Sequence, residues 1–236
     1  KYGEFSYLEA KIFEQICKAG DIVIEVGANI GAHTLYLSKL VGNGYVFAFE
    51  PQRLVFQNLC ANLALNSISN VFAYQEAVSN ENGTIIIPEC NFKENNNFGG
   101  INIENTKNGT TVNKQKLDNF LNKIDRLKLL KIDVEGMEIS VIKGASELIK
   151  KFRPMIYVEN DRQEHSKELI ELLWSLDYKM YWHLPKLYNK SNFFCQEENI
   201  FGNIVSVNMF CIHKDLDIKV IDMVEVLDSS FHPMKR

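Results

Sequence analysis

The chain has no apolar run approaching the roughly 20 residues that a membrane-spanning helix needs. Its opening, Lys1-Tyr-Gly-Glu-Phe-Ser, has no signal-peptide hydrophobic region. Proline is scarce, 5 in 236 residues, and nowhere joins glycine and serine into a linker, so a single domain over 1–236 is expected. Cysteine is odd in number and dispersed at Cys17, Cys60, Cys90, Cys195 and Cys211, with no CxxC. That excludes a zinc ribbon or a disulfide framework and suits reduced thiols in a cytoplasmic protein. Basic clusters are also missing: 26 Lys and Arg stand against 30 Asp and Glu, a formal net charge of −4. Nucleic acid is therefore a poor partner, and a small molecule or carbohydrate a better one. Nothing in the composition sets an oligomeric state.

The stretch that organises the rest is Asp21-Ile-Val-Ile-Glu25-Val-Gly27-Ala-Asn29-Ile-Gly31-Ala-His33-Thr34. An Ile/Val run closed by glycine reads as a buried strand, and Thr34 to Leu40 reads as a helix. Glycine lets the backbone approach a ligand closely, and a helix start offers N–H donors, so strand, glycine turn and helix together suit a nucleotide-like ligand. The dinucleotide fingerprint GxGxxG fits poorly, with Asn29 in the middle glycine position and Ala32 in the last.

Alternating strands and helices predict an α/β fold. An amphipathic entry helix begins near Tyr7 and stops at Ala19-Gly20. Tyr45 to Phe49 is a second strand ending in Glu50-Pro51, about 20 residues past the glycine turn, where an acid can hold both ribose hydroxyls. The same carboxylate would also suit the helix start beside Pro51. Asn70 to Gln75 is a third strand followed by Glu76-Ala77, an acid placed for an adenine ring, and Thr84 to Ile87 suggests an appended hairpin. Segment 88–113 reads as a long loop, with Asn95 to Gly100 as a possible lid. Leu127 to Ile132 is a strand ending in Asp133-Val-Glu135-Gly136, followed by a helix from about Ile139 to Lys150. Arg153 to Val158 is the fifth strand, ending in Glu159-Asn160-Asp161; two more strands flank a substrate-side loop at 184–203, and the tail from Ile218 is strand-like.

Taken together, Val26-Gly-Ala-Asn-Ile-Gly31, Ala48-Phe-Glu-Pro51, Glu76-Ala-Val-Ser79, Leu117-Asp118 and Ile132-Asp-Val-Glu-Gly-Met-Glu138, with Lys143-Gly-Ala145, resemble the FkbM family of methyltransferases. The resemblance implies a Rossmann-like, doubly wound, mostly parallel seven-stranded sheet with an antiparallel last strand and helices on both faces. It also implies S-adenosylmethionine as methyl donor and O-methylation of hydroxyls on sugars or small natural products. Carried over by position, Gly27, Asn29, Gly31, Glu50 and Glu76 hold the cofactor, with Glu25, Thr34, Pro51 and Ala77 in the same motifs. The resemblance also makes segment 1–20, with Glu9, a cover over the cofactor, and Asp133 borders the methyl group.

An alcohol is a weak nucleophile, so a base or a metal is wanted. Asp133 and Glu135 are the expected catalytic carboxylates. A less favoured route places a divalent cation on Asp133, Glu159 and Asn160. His33, His165 and His183 are further base candidates, although single histidines more often only pack. The strand-end acid also suits an NAD-dependent oxidoreductase, and the fold alone would suit a non-catalytic binding domain.

Overall fold

The computed structural model describes residues 1–88 and 109–235. Cys90 and the expected lid at 95–100 lie outside these residues. The chain runs α1 (Tyr7–Ile16), β1 (Ile22–Val26), α2 (Ala32–Val41), β2 (Tyr45–Phe49), α3 (Arg53–Leu65) and β3 (Val71–Tyr74). Short strands β4 (Ala77–Val78), β5 (Gly83–Ile87) and β6 (Thr110–Gln115) come next, then a 3-10 turn at Leu117–Phe120. The second half is β7 (Leu129–Ile132), α4 (Glu138–Lys143), α5 (Ser146–Phe152), β8 (Met155–Glu159), α6 (Gln163–Ser175), β9 (Tyr178–His183), β10 (Asn208–His213) and β11 (Val224–Glu225).

The main sheet has the order β11-β9-β10-β8-β7-β1-β2-β3. It carries eight strands where seven were expected; the addition is β11, two residues of the tail paired antiparallel to β9. Strand β10 runs antiparallel between β8 and β9, as the resemblance implies. The expected hairpin is part of a separate three-stranded sheet, β4-β6-β5. Among the described residues no helix is long and apolar enough to cross a membrane.

Strands β1 and β7 are buried at every position, because parallel strands covered by helices on both faces must be apolar throughout. One face presents Val23, Leu129, Tyr157 and Phe210 to Ile12 and Phe13 of α1 and Leu37 of α2. The other presents Ile24, Leu130, Ile132 and Ile156 to Val141, Leu148, Ile170 and Leu173. Strand order reverses between β1 and β7, and their register sets Glu25 beside Lys131 and Val26 beside Ile132. Both strands therefore end at the same level, at the one place where the neighbouring connections diverge and a crevice opens.

The helix expected from Ile139 to Lys150 is broken. A Cβ on Gly144 would lie 2.0 Å from the Ser79 carbonyl oxygen, so the chain comes too close to the small sheet for any side chain. Asp118 completes the break, its N–H donating to the Gly144 carbonyl (3.0 Å) and its Oδ1 accepting from the Leu148 N–H (2.9 Å). Leu130 is wholly buried in the central layer. Leu130→Ala should lower unfolding free energy by about 2–5 kcal/mol through lost burial and a residual cavity, read as a lower urea midpoint with unchanged slope.

Candidate functional site

A cleft opens at the carboxyl ends of β1, β2 and β7, lined by Glu25, Gly27, Asn29, Glu50 and Asp133 together with Phe5, His33 and Lys131. The turn after β1 is left-handed at Gly27 (φ 82°), and a Cβ there would sit 1.7 Å from the Asp133 carbonyl oxygen. Only glycine fits both constraints. Asn29 is also left-handed (φ 50°), with its Oδ1 accepting from the Ile30 N–H at 2.8 Å. Most amides of the turn are used internally: Gly27 and Ala28 donate to Phe49, and Gly31 donates to Ala28. The donors left for a ligand are those of the first turn of α2, which starts on Gly31 with no side-chain cap.

Glu50 sits at the end of β2, buried, its two oxygens accepting from the Asn29 N–H (3.0 Å) and the Gln52 N–H (2.8 Å). Burial raises its pKa to about 7. The expected partners Glu76 and Ala77 lie outside this lining: the Glu76 carboxylate accepts from Gln115 Nε2, and Ala77 is buried in β4. Pro51 follows β2, half-buried, ahead of α3.

Beneath the cleft lies a group that the sequence reading missed. Lys131 is 2% exposed, with its Nζ 3.2 Å from Asp133 Oδ2 and 3.6 Å from Glu25 Oε1. Burial opposes its charge, but Asp133, Glu25 and Glu9 outweigh burial and hold the ammonium protonated. Glu25 also accepts from Thr34 Oγ1 at 2.6 Å, so both are floor residues. Glu9 is buried on α1, accepting from Ser6 Oγ (2.6 Å) and Asn208 Nδ2 (3.4 Å), and so supports the site from below. The sequence shows only a lysine between Leu130 and Ile132, and burial of β7 on both faces is what makes that position costly without paired carboxylates.

Asp133 keeps 42% of its side chain exposed. Burial alone would raise its pKa, but Lys131 overrides this and holds the carboxyl below its ordinary value. Glu159 stands at the end of β8, close enough to feel the charge of Asp133. Burial, and then the charges of Asp133, Asp161, Glu135 and Glu138, push the Glu159 carboxyl far above the ordinary range. Glu159 therefore keeps its proton while Asp133 is ionised.

Glu135 is less free to act as a base. It is left-handed (φ 52°) and accepts from Arg162 Nη2 at 2.5 Å. Oxygens of Glu135, Glu159 and Asp161 lie within 4.8 Å of one another. The expected metal ligand Asn160 is instead built into the scaffold: it is buried, its amide donates to Ser166 Oγ (3.0 Å), and its carbonyl is 2.8 Å from His232 Nε2. His33 is buried between Phe5 and Phe13 and driven to a pKa of about 3, by burial before Lys131. His183 is lowered to about 4 by burial and bonds to the Tyr157 hydroxyl at 2.7 Å; His165 sits on the first turn of α6.

Both Glu50 and Glu159 keep a proton in the folded chain at pH values where the unfolded chain, at 4.5, has released it. Their contribution to stability is thus full below 4.5 and is lost as pH rises toward the folded values. Glu159→Gln should remove one such proton, worth about 1.4 kcal/mol per pH unit. Its melting temperature relative to the parent should climb between about pH 5 and about pH 9; a constant difference would contradict a protonated Glu159.

The chain is 27% identical over 181 residues to the methyltransferase sdnD of Sordaria araneosa, covering 61% of this chain and 70% of that one. It is 26% identical over 155 residues to the hexuronic acid methyltransferase AglP of Haloferax volcanii, covering 65% and 61%. The crystal structure of methyltransferase FkbM from Methylobacillus flagellatus KT superposes with a TM-score of 0.53 at 17% identity, covering 86% of this chain and 50% of that one. The present chain thus spans half of that solved protein. The methyltransferase FkbM domain matches residues 25–180, from the acid beneath the glycine turn to the start of β9. This chain therefore belongs to the FkbM family of S-adenosylmethionine-dependent methyltransferases.

Proposed function

We propose that the protein O-methylates a hydroxyl of a sugar or small natural product in the cytoplasm, with Asp133 as the proton acceptor. The observation that carries this reading is the convergence of Glu25, Gly27, Asn29, Glu50 and Asp133 from three strand ends on one cleft at the switch in strand order. S-adenosylmethionine supplies a methyl group activated by an adjacent sulfonium. An acidic floor suits that cation, and an uncapped helix start suits its carboxylate. Family membership favours this donor over a nicotinamide cofactor.

Glu50 binds the ribose hydroxyls, and the turn from Gly27 to Gly31 gives close approach. Thr34 and Lys131 orient Glu25 and Asp133. With the donor bound, the acceptor's oxygen would take the methyl group as the C–S bond breaks and the neutral thioether leaves, and the ionised Asp133 Oδ would accept the hydroxyl proton beside a protonated Glu159. A sugar acceptor is supported by the name of the Haloferax relative. A reducing compartment is supported by the free thiols of Cys17, Cys60, Cys195 and Cys211. Arg162 already places positive charge on Glu135 and lies 3.5 Å from Asp161, so no divalent cation is required there.

Glu50→Ala should weaken S-adenosylhomocysteine binding by about tenfold or more in calorimetry, about 1.4 kcal/mol. Across a panel of sugars and phenols assayed by mass spectrometry, Asp133→Asn should lower kcat by about 10²–10⁴-fold with donor affinity retained. EDTA should leave turnover intact. Donor binding with no transfer to any acceptor would favour a binding domain that keeps only the fold.

A further inference from the structure

We infer that the opening segment of the chain and the loop between β9 and β10 form one cap over the site, and that Glu4 is the positioning residue joining its two halves. The inference rests on the donor reading given above.

Phe5 reaches the cofactor cleft, where its ring packs on His33 at 5.4 Å. One residue earlier, Glu4 places both carboxylate oxygens on the far loop: Oε1 accepts from Asn189 Nδ2 (2.8 Å) and Oε2 from the Phe193 N–H (3.1 Å). The backbone continues the seam, the Phe194 N–H donating to the Tyr2 carbonyl at 3.1 Å. Tyr2 completes it, its hydroxyl donating to the Glu198 carbonyl (2.8 Å) and accepting from the Ile200 N–H (3.0 Å). A side chain on Gly3 would meet the Phe194 ring at 2.9 Å, so the contact is close along its length.

The loop is placed to matter for the acceptor. It leaves β9 at His183 and returns at Asn208, and these residues pair with each other beside Glu159 at the end of β8. It therefore rises from the sheet edge that carries Asp133 and Glu159. The loop has internal order of its own, with buried Asn192 donating to the Asn189 and Gln196 carbonyls. On the other side the segment is anchored at Ser6, left-handed at φ 45°, whose Oγ donates to Glu9, a carboxylate near enough to the buried Lys131 to feel its charge. A donor seated under Phe5 fixes this segment, and Glu4 passes the restraint to the loop, so the acceptor wall is completed only on the donor-bound protein. Ordered binding, donor before acceptor, follows.

Hydrogen exchange read by mass spectrometry, with S-adenosylhomocysteine as the probe, tests this on the intact chain. In the parent, the probe should slow exchange in the glycine turn and also at residues 189–196. In Glu4→Ala, calorimetry should give a probe affinity within about threefold of the parent. Protection of the turn should persist there, and the added protection at 189–196 should vanish. Glu4→Gln keeps one acceptor oxygen and should restore part of it. Equal added protection at 189–196 in the parent and Glu4→Ala would overturn the inference, as would a parent that binds the probe with no change there. Failure of the parent to bind the probe at all, with no protection at Gly27 to Gly31, would instead overturn the donor reading and this inference with it.

Discussion

The site depends on one buried ammonium. Lys131 lies under the cleft with Asp133 and Glu25 within ion-pair distance and Glu9 close enough to favour its charge. Taking an ammonium out of water is costly, and carboxylates around it offset that cost only if they are held in place. Here the holding comes from two directions: Thr34 on Glu25, and Ser6 with Asn208 on Glu9. Elements α1, α2, β1, β7 and β10 are thereby tied to a common charge, and the cleft above inherits an acidic floor.

The frame of the fold was legible because its signals are local. Ile/Val runs closed by glycine mark parallel strands, and an acid at the end of the second strand marks the nucleoside side. Glu25, Gly27, Asn29, Glu50 and Asp133 do converge on one cleft. What stayed hidden depends on contacts between distant segments. Lys131 reads as one more charge in a Leu- and Lys-rich stretch until its strand is known to be buried on both faces. The break at Gly144 is invisible without Ser79 beside it, and Gly-Ala within a run of helix formers gives little warning. Glu76 matched a motif, yet its carboxylate is engaged by Gln115, a residue of the small sheet.

The acids beyond β7 divide into two groups by their surroundings. Asp133 has a buried cation behind it and stays ionised; Glu159 is buried, with other acids around it, and stays neutral. Glu135 and Asp161 lean on Arg162. Carboxylates that look interchangeable along the sequence thus take different roles, set by which neighbour each one meets.

The register between β1 and β7 has a consequence for how the molecule matures. Glu25 and Lys131 stand side by side, yet the chain makes the whole of β2, β3 and the small sheet between them. Non-local parallel pairing of this kind forms slowly, because a long intervening loop must be closed first. A nascent chain that has emerged only as far as the small sheet would hold Glu25 beside an open flank, with no countercharge. The chemistry-bearing crevice therefore cannot assemble until synthesis has passed Lys131, and until then biogenesis is most exposed to mispairing at the β1 edge.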